Sequence, residues 1–136
     1  ALKHGARVMS LSWGSETRSD FLETALNDAR SKGLIVVASA GNEPTGKPVY
    51  PAAFPSVVGV GALAPDGKSW ENSNYGDFVT LYAPGFATSP VGYKGDPRPY
   101  AGTSISAAYA ANVIADYISE HPEATTQEVL EALSRR

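Results

Sequence analysis

The sequence contains no cysteine among its 136 residues, and this absence limits both its chemistry and its means of stabilisation. Without thiols the chain forms no disulfide framework and offers no thiolate ligands to a metal ion. It also lacks an apolar run as long as a membrane span, and no signal peptide is recognisable in its first residues. An excess of positive charge is missing too: the formal net charge is −3, which argues against nucleic acid as a main partner.

Histidine is scarce, which matters for any chemistry that needs a base near neutral pH. His4 precedes the first predicted strand and His121 lies in the connection to the last predicted helix, so each is most simply a surface residue. The composition is otherwise that of a globular protein, with 43% hydrophobic residues. A length of 136 residues corresponds to a single domain that is large enough to have a core.

Apolar runs alternate with amphipathic segments in the first half of the chain, a pattern that predicts a parallel α/β architecture. Strands are expected at residues 7–12, 34–39, 57–63 and 79–82. The first two strands flank a predicted helix, and a strand, helix and strand within about thirty residues form a βαβ unit. The helix is predicted to be capped by Asp20 with Glu23 as its capping-box partner, to end at Gly33, and to bury a face comprising Phe21, Leu22, Ala25, Leu26 and Ala29.

The second half of the chain begins with a segment rich in Gly and Pro. Residues 83–99 are predicted to form a long surface connection. An alanine-rich helix follows and ends near Ser119. Thr125 and Glu128 form a second capping box, which predicts a last helix that buries Val129, Leu130 and Leu133.

The residues that open the alanine-rich helix are the first candidate for chemistry. Gly102-Thr103-Ser104 leads into the helix, so Ser104 lies at its N-terminus, where unpaired N–H groups and the helix dipole stabilise anions. An oxyanion formed by attack of Ser104 on a carbonyl would meet those donors. Thr and Ser are also ordinary N-cap residues, and the tripeptide alone leaves the choice between nucleophile and cap open.

A second candidate lies far away in the sequence, where the apolar run at residues 34–40 stops at Gly41-Asn42. Ligands gather outside the C-terminal ends of parallel strands, and Asn42 could donate its side-chain amide to the same oxyanion. A Gly-Asn turn with purely local hydrogen bonds is the structural alternative.

Six collinear segments together resemble the subtilisin-like serine proteases. They read VMSLSWG at residues 8–14, VVASAGNEP at 36–44, YPAAFPSVVGVGA at 50–62, SNYG at 73–76, APG at 83–85 and YAGTSISAA at 100–108. The resemblance implies a partial parallel-sheet fold with three α/β/α layers. It also implies that residues 1–136 are the C-terminal portion of a catalytic domain, and that the bond between Tyr50 and Pro51 is cis.

The resemblance further implies roles for particular residues of this chain. Ser104 would be the nucleophile and Asn42 the oxyanion-hole asparagine. An extended edge for the substrate backbone would be formed by Ser10, Leu11 and Ser12, and the primary specificity pocket would be lined by Ser39, Ala40 and Gly41. The substrate would be a peptide or protein, and the location extracellular. No cofactor is required; the family often binds calcium, but no run of ligands here is specific enough to assign it.

Two catalytic groups of the family have no counterpart in this sequence. The family's Asp-Ser/Thr-Gly and His-Gly-Thr-His motifs are absent, and neither His4 nor His121 matches the position of its base. We therefore expect an N-terminal half to supply both groups, the isolated chain to be inactive, and its uncovered surface to favour self-association. The alternative function is a non-catalytic module that binds an extended peptide along residues 10–12 by strand addition.

Overall fold

A parallel sheet organises the part of the chain that the computed structural model describes, residues 7–89 and 98–134. The elements are β1 (Val8–Leu11), α1 (Asp20–Ser31), β2 (Ile35–Ser39), β3 (Val57–Leu63), β4 (Val79–Pro84), β5 (Phe86–Ser89), β6 (Arg98–Ala101), α2 (Thr103–Glu120) and α3 (Thr126–Ser134). His4 lies outside the described residues. All four predicted strands and all three predicted helices are present, which confirms the α/β class.

The four strands β1 to β4 pair in parallel and in sequence order. The register places Val8 opposite Ile35 and Val36 opposite Val57, so the residues that follow each strand lie at one edge of the sheet. All five residues of β2 are buried, as expected for a parallel strand covered on both faces.

Helices cover both faces of this sheet, so the protein has the predicted three layers. On one face, α2 and α3 pack against Ile35, Val37 and other strand residues of the same orientation. On the other face, Leu26 of α1 packs against Val36 and Ala38. Successive residues of a strand point to opposite faces, so the alternation along β2 divides the core into these two clusters.

The start and the buried face of α1 differ from the prediction. Ser19, not Asp20, is the N-cap: its hydroxyl accepts a hydrogen bond from the N–H of Leu22. Glu23 pairs instead with Arg18, and this hydrogen bond raises the pKa of the exposed Arg18 above its ordinary value. Phe21 is 87% exposed rather than buried.

The buried side of α1 is narrower than the sequence pattern suggests. Leu26 is buried, Leu22 and Ala29 pack around the same cluster, and Ala25 is exposed. Three residues at positions i, i+4 and i+7 already fill the single stripe that faces the sheet, and Phe21 and Ala25 lie outside it.

The predicted surface connection at residues 83–99 is partly regular structure. β4 extends to Pro84, and β5 pairs with β6 in an antiparallel ribbon in which Phe86 lies opposite Ala101. The ribbon leads directly into α2 and so fixes where that helix begins.

Two local predictions are confirmed. The peptide bond between Tyr50 and Pro51 is cis. Thr125 and Glu128 form the reciprocal bonds of a capping box, with the N–H of Glu128 donating to the Thr125 hydroxyl at 3.2 Å. Among the helices of the described residues, none combines the length and apolar character that a membrane crossing needs.

Candidate active site

A cleft of about 360 Å³ opens where β2 ends and α2 begins. Its lining residues come from three segments, within residues 12–16, 39–49 and 103–104. The first two segments follow the C-terminal ends of β1 and β2, which is where parallel α/β sheets gather their ligands. The sheet therefore brings together residues that are far apart in the sequence.

Ser104 lies in the first turn of α2, which begins at Thr103. The preceding Gly102 has no side chain that could cap the helix, and N–H groups of a first turn have no partner within the helix itself. The half-buried hydroxyl of Ser104 donates to the carbonyl oxygen of Ser12 across the cleft at 3.4 Å. The hydroxyl is thus held at the end of a helix that stabilises negative charge.

Asn42 is held against the same helix end by Thr103. The carboxamide oxygen of Asn42 accepts from the N–H of Thr103 at 2.8 Å and from its hydroxyl at 2.9 Å. A backbone N–H can only donate, so the Asn42 atom that faces it is the oxygen Oδ1. The amide nitrogen Nδ2 therefore points away from these two bonds and remains a donor.

The side-chain nitrogen of Asn42 and the backbone nitrogen of Ser104 both lie near Gly102. A Cβ atom on Gly102 would lie 3.4 Å from Asn42 Nδ2 and 3.9 Å from the backbone nitrogen of Ser104. Two potential donors therefore lie beside one open position, and stabilisation of an oxyanion requires donors placed in this way. Glycine at 102 leaves that point free of side-chain atoms.

The remaining predicted site residues divide into two groups. Ser12, Ser39 and Gly41 line the cleft together with Asn42 and Ser104. The other three lie beside the cleft without lining it. Ser10 and Leu11 lie within β1, where they pair with residues of β2. Ala40, which precedes Gly41, is fully buried.

Several residues of the cleft were missed by the sequence analysis. Thr103 is 1% exposed and orients Asn42, although the sequence suggested no more than a helix cap. Val49 lies close to both Gly14 and Gly41. A Cβ atom on Gly14 would lie 3.6 Å from its side chain, and one on Gly41 would lie 3.9 Å from it. The carboxylates Glu16 and Glu43 also line the cleft. Spacing carries no signal for these residues: Glu16, Glu43 and Val49 come from loops whose paths only the fold defines, and Thr103 is marked only by its position at the start of α2.

The described residues place no histidine beside Ser104. His121 follows the last residue of α2, an 18-residue helix about 27 Å long, so it lies at the opposite end from Ser104. There its ring stacks on Tyr117 with the ring centroids 4.2 Å apart. Within residues 7–89 and 98–134, no group of three or more histidine, aspartate or glutamate side chains is arranged to hold a metal ion.

Comparisons with known proteins match nearly the whole chain. A family model described as "Subtilase family" matches residues 1–135. Subtilisin NAT from Bacillus subtilis subsp. natto is 32% identical over 137 aligned residues, which cover 98% of this chain and 36% of that protein. A subtilisin from Bacillus pumilus is also 32% identical, over 98% of this chain and 50% of its own length. The chain thus spans between about a third and a half of these relatives.

Solved structures resemble the fold closely. A cold-adapted subtilisin-like serine proteinase superposes with a TM-score of 0.84 at 30% identity, over 95% of this chain and 47% of that one. S41 psychrophilic protease gives a TM-score of 0.82 at 28% identity, over 95% and 48% of the two chains.

Proposed function

Because the chain belongs to the subtilase family, we propose that it carries the nucleophile and the oxyanion-binding donors of a serine endopeptidase. One observation carries the proposal: the Ser104 N–H and Asn42 Nδ2 lie within 4 Å of a common point, and the Ser104 hydroxyl faces the same cleft. A helix cap alone would not require a second amide donor from a strand end 61 residues away.

The reaction proposed for this site is hydrolysis of a peptide bond through an acyl-enzyme. A base takes the proton from the Ser104 hydroxyl as its oxygen attacks the scissile carbonyl carbon. The negative charge moves to the carbonyl oxygen, where Asn42 Nδ2 and the Ser104 N–H stabilise it. The base then gives its proton to the leaving amine, and water releases the acyl group in a second, equivalent cycle. These steps need no cofactor.

The substrate of this reaction is a peptide or protein that lies along the cleft. Ser12, Ser39 and Gly41 are proposed to contact it directly, since they line the cleft. Ser10 and Leu11 are proposed to support the extended edge from within β1, and Ala40 to support the specificity pocket from behind Gly41.

The base and its orienting carboxylate are proposed to come from an N-terminal half of the catalytic domain, outside the described residues. His121 is too far from Ser104 to exchange a proton with it, and proton transfer requires hydrogen-bond distance or one bridging water. The hydroxyl of Ser104 donates to Ser12 at 3.4 Å, a long bond that an incoming base could replace.

The test is peptide hydrolysis by the protein at its full encoded length. We expect turnover of a chromogenic peptide and labelling by a radioactive sulfonyl fluoride, both abolished by Ser104→Ala. Ser119→Ala is the matched control, since Ser119 is an exposed serine near the other end of α2. Turnover that survives Ser104→Ala would exclude Ser104 as the nucleophile.

A peptide-binding module without catalysis is the second candidate. It is favoured by the position of β1 at the edge of the described sheet, where an extended peptide could add as a further strand. In that case the full-length protein would bind peptides with equal affinity before and after Ser104→Ala, and would hydrolyse none.

An extracellular location is proposed together with the activity, on the basis of the resemblance to bacterial subtilisins. Immunoblotting of culture medium and cell fractions tests it, and retention of the protein in the cells would contradict it.

A further inference from the structure

A buried asparagine outside the cleft, Asn74, uses every hydrogen-bonding group of its side chain on the loops that form the cleft. It is 1% exposed. Its Oδ1 accepts from the N–H of Gly46 at 2.9 Å, and its Nδ2 donates to the carbonyl oxygens of Ala40 and Lys47 at 3.1 and 2.9 Å. Its backbone N–H donates to the carbonyl oxygen of Gly41 at 2.9 Å. Asn74 therefore joins the end of β2 to the loop at residues 46–47.

The hydrogen bond from Asn74 to the Ala40 carbonyl also affects the N–H of the same peptide group, which belongs to Gly41. The carbonyl of Ala40 and the N–H of Gly41 belong to the same planar peptide and point in opposite directions. Asn74 holds the carbonyl, and the N–H donates to the hydroxyl of Thr103 at 3.1 Å. That hydroxyl in turn donates to Oδ1 of Asn42 at 2.9 Å. The orientation of this peptide thus sets the direction of the N–H that bonds the Thr103 hydroxyl, and that hydroxyl links the peptide to Asn42.

The backbone at Gly41 is flexible by itself, so the hydrogen bonds from Asn74 are needed to fix its conformation. Gly41 has φ +102°, a conformation that glycine reaches without strain and can also leave easily. Asn74 bonds the peptide groups on both sides of it, through the Ala40 and Gly41 carbonyls. These two bonds fix the turn from which Asn42 extends.

The neighbours of Asn74 hold it in place. The hydroxyl of Ser73 accepts from the N–H of Ala62 in β3 and donates to the carbonyl of Asn74, both at 3.0 Å. The ring of Tyr75 lies against Gly46, where a Cβ atom would approach it to 2.8 Å. The segment at residues 73–75 is therefore anchored to the central sheet on one side and to the cleft loop on the other.

We propose that Asn74 is a positioning residue for the oxyanion-binding site, acting through the Ala40–Gly41 peptide and Thr103 on Asn42. This inference rests on the proposed function of the cleft and adds to it a residue that touches neither the substrate nor Ser104. Loss of Asn74 leaves the chemical groups of the site in place and makes the direction of the Asn42 amide less well defined.

The test is a double-mutant cycle in the full-length protein. Asn74→Ala is expected to lower kcat about tenfold with KM changed less than threefold, because the oxyanion forms only in the transition state. In an Asn42→Ala background the same substitution should change kcat less than twofold, since the residue through which it acts is already gone. Asn72→Ala is the matched control: Asn72 lies two residues away, exposed to solvent, and should have no effect in either background.

Equal losses of kcat in both backgrounds would overturn the proposal, because Asn74 would then act independently of Asn42. If Asn74→Ala does not fold, Asn74→Asp replaces it in the cycle; it keeps the shape and the acceptor for Gly46 but loses both donors. Unfolding of both variants would show that Asn74 serves the fold as a whole, and would equally overturn the proposal.

Failure of the proposed function is distinguishable from failure of this inference. If the wild-type protein hydrolyses no peptide, the hydrolase proposal fails. The positioning role of Asn74 is then tested by amide hydrogen exchange. The Gly41 N–H should then exchange at least tenfold faster in Asn74→Ala than in Asn72→Ala. Unchanged exchange would overturn the positioning role.

Discussion

At the scale of single residues, Thr103 connects the two halves of the candidate site. Its N–H and hydroxyl both donate to Asn42 Oδ1, and its hydroxyl accepts from the N–H of Gly41. The side chain is almost completely buried, which shields these bonds from water. The Thr103 hydroxyl therefore helps to fix the direction of the Asn42 amide.

The substitution Thr103→Val keeps the shape of this side chain and removes its hydroxyl. We expect kcat for peptide hydrolysis to fall about tenfold with little change in KM, because Asn42 Oδ1 loses one of the two hydrogen bonds that it accepts from Thr103. The free energy of unfolding should fall by about 1–3 kcal/mol, since the partly buried N–H of Gly41 loses its acceptor. Steady-state kinetics and urea denaturation of the full-length protein measure the two effects.

Thr103→Ser is the control for this experiment, because serine retains the hydroxyl and loses a methyl group. It should keep most of the activity. A Thr103→Val variant as active as the Thr103→Ser variant would contradict the role given to the hydroxyl.

At the scale of secondary-structure elements, the three helices differ in how their N-termini are capped. In α1 the hydroxyl of Ser19 caps the helix by accepting from Leu22, and in α3 Thr125 does the same for Glu128. In α2 the residue before the helix is Gly102, and the oxygen of Asn42, from the end of β2, takes the place of a local cap. The cap of α2 is therefore supplied by tertiary structure.

Removal of the cap of α1 should lower stability without touching the cleft. Ser19→Ala is expected to lower the free energy of unfolding by about 1 kcal/mol. Asp20→Ala, at the residue that the sequence had suggested as the cap, should cost about 0.3–0.5 kcal/mol through the helix dipole and an exposed ion pair with Arg18. Urea unfolding of both variants measures the difference, and a larger loss from Asp20→Ala would contradict the assignment of Ser19 as the cap.

At the scale of the whole molecule, the strand order leaves β1 at one edge of the described sheet. Its outer N–H and C=O groups have no neighbouring strand among residues 7–89 and 98–134, and Val8 and Met9 are half-buried beside them. An edge of this kind is a template for pairing with another chain. Under the proposed function, the N-terminal half of the catalytic domain would add its strand at this edge.

We therefore expect the isolated 136-residue chain to self-associate or to exchange segments between copies. Size-exclusion chromatography with light scattering should give a mass above that of the 14.3 kDa monomer. Co-expression with the N-terminal half of the domain should abolish the association, because the edge is then paired. A cooperatively folding monomer at high concentration would contradict this expectation.

The isolated chain is also expected to be inactive towards peptides. Its two histidines do not match the family's base, and His121 lies at the far end of α2 from Ser104. Removal of the histidine base from a subtilisin lowers kcat by about 10⁶-fold. Turnover of a chromogenic peptide by the purified chain, abolished by Ser104→Ala, would contradict this and direct the search for a base to His4.

Local sequence patterns indicated the four strands of the parallel sheet and the three helices of this protein. The buried run at residues 34–40 and the alanine-rich helix are local signals, since a fully covered strand and a closely packed helix each require a particular composition. The start of α2 was also readable, because Gly102-Thr103-Ser104 precedes an uninterrupted helical pattern. These features need no knowledge of distant residues.

Which residues meet at the site depends on tertiary packing. The pairing of β5 with β6, the exposure of Phe21 and the bonds of Asn42 with Thr103 depend on contacts between segments far apart in the sequence or on how much of a helix face the sheet can cover. Asn74 illustrates the reason: its sequence neighbourhood is that of an ordinary polar loop, and its four hydrogen bonds to residues 40–47 exist because the fold brings these two segments together. Local composition carries no record of such partners.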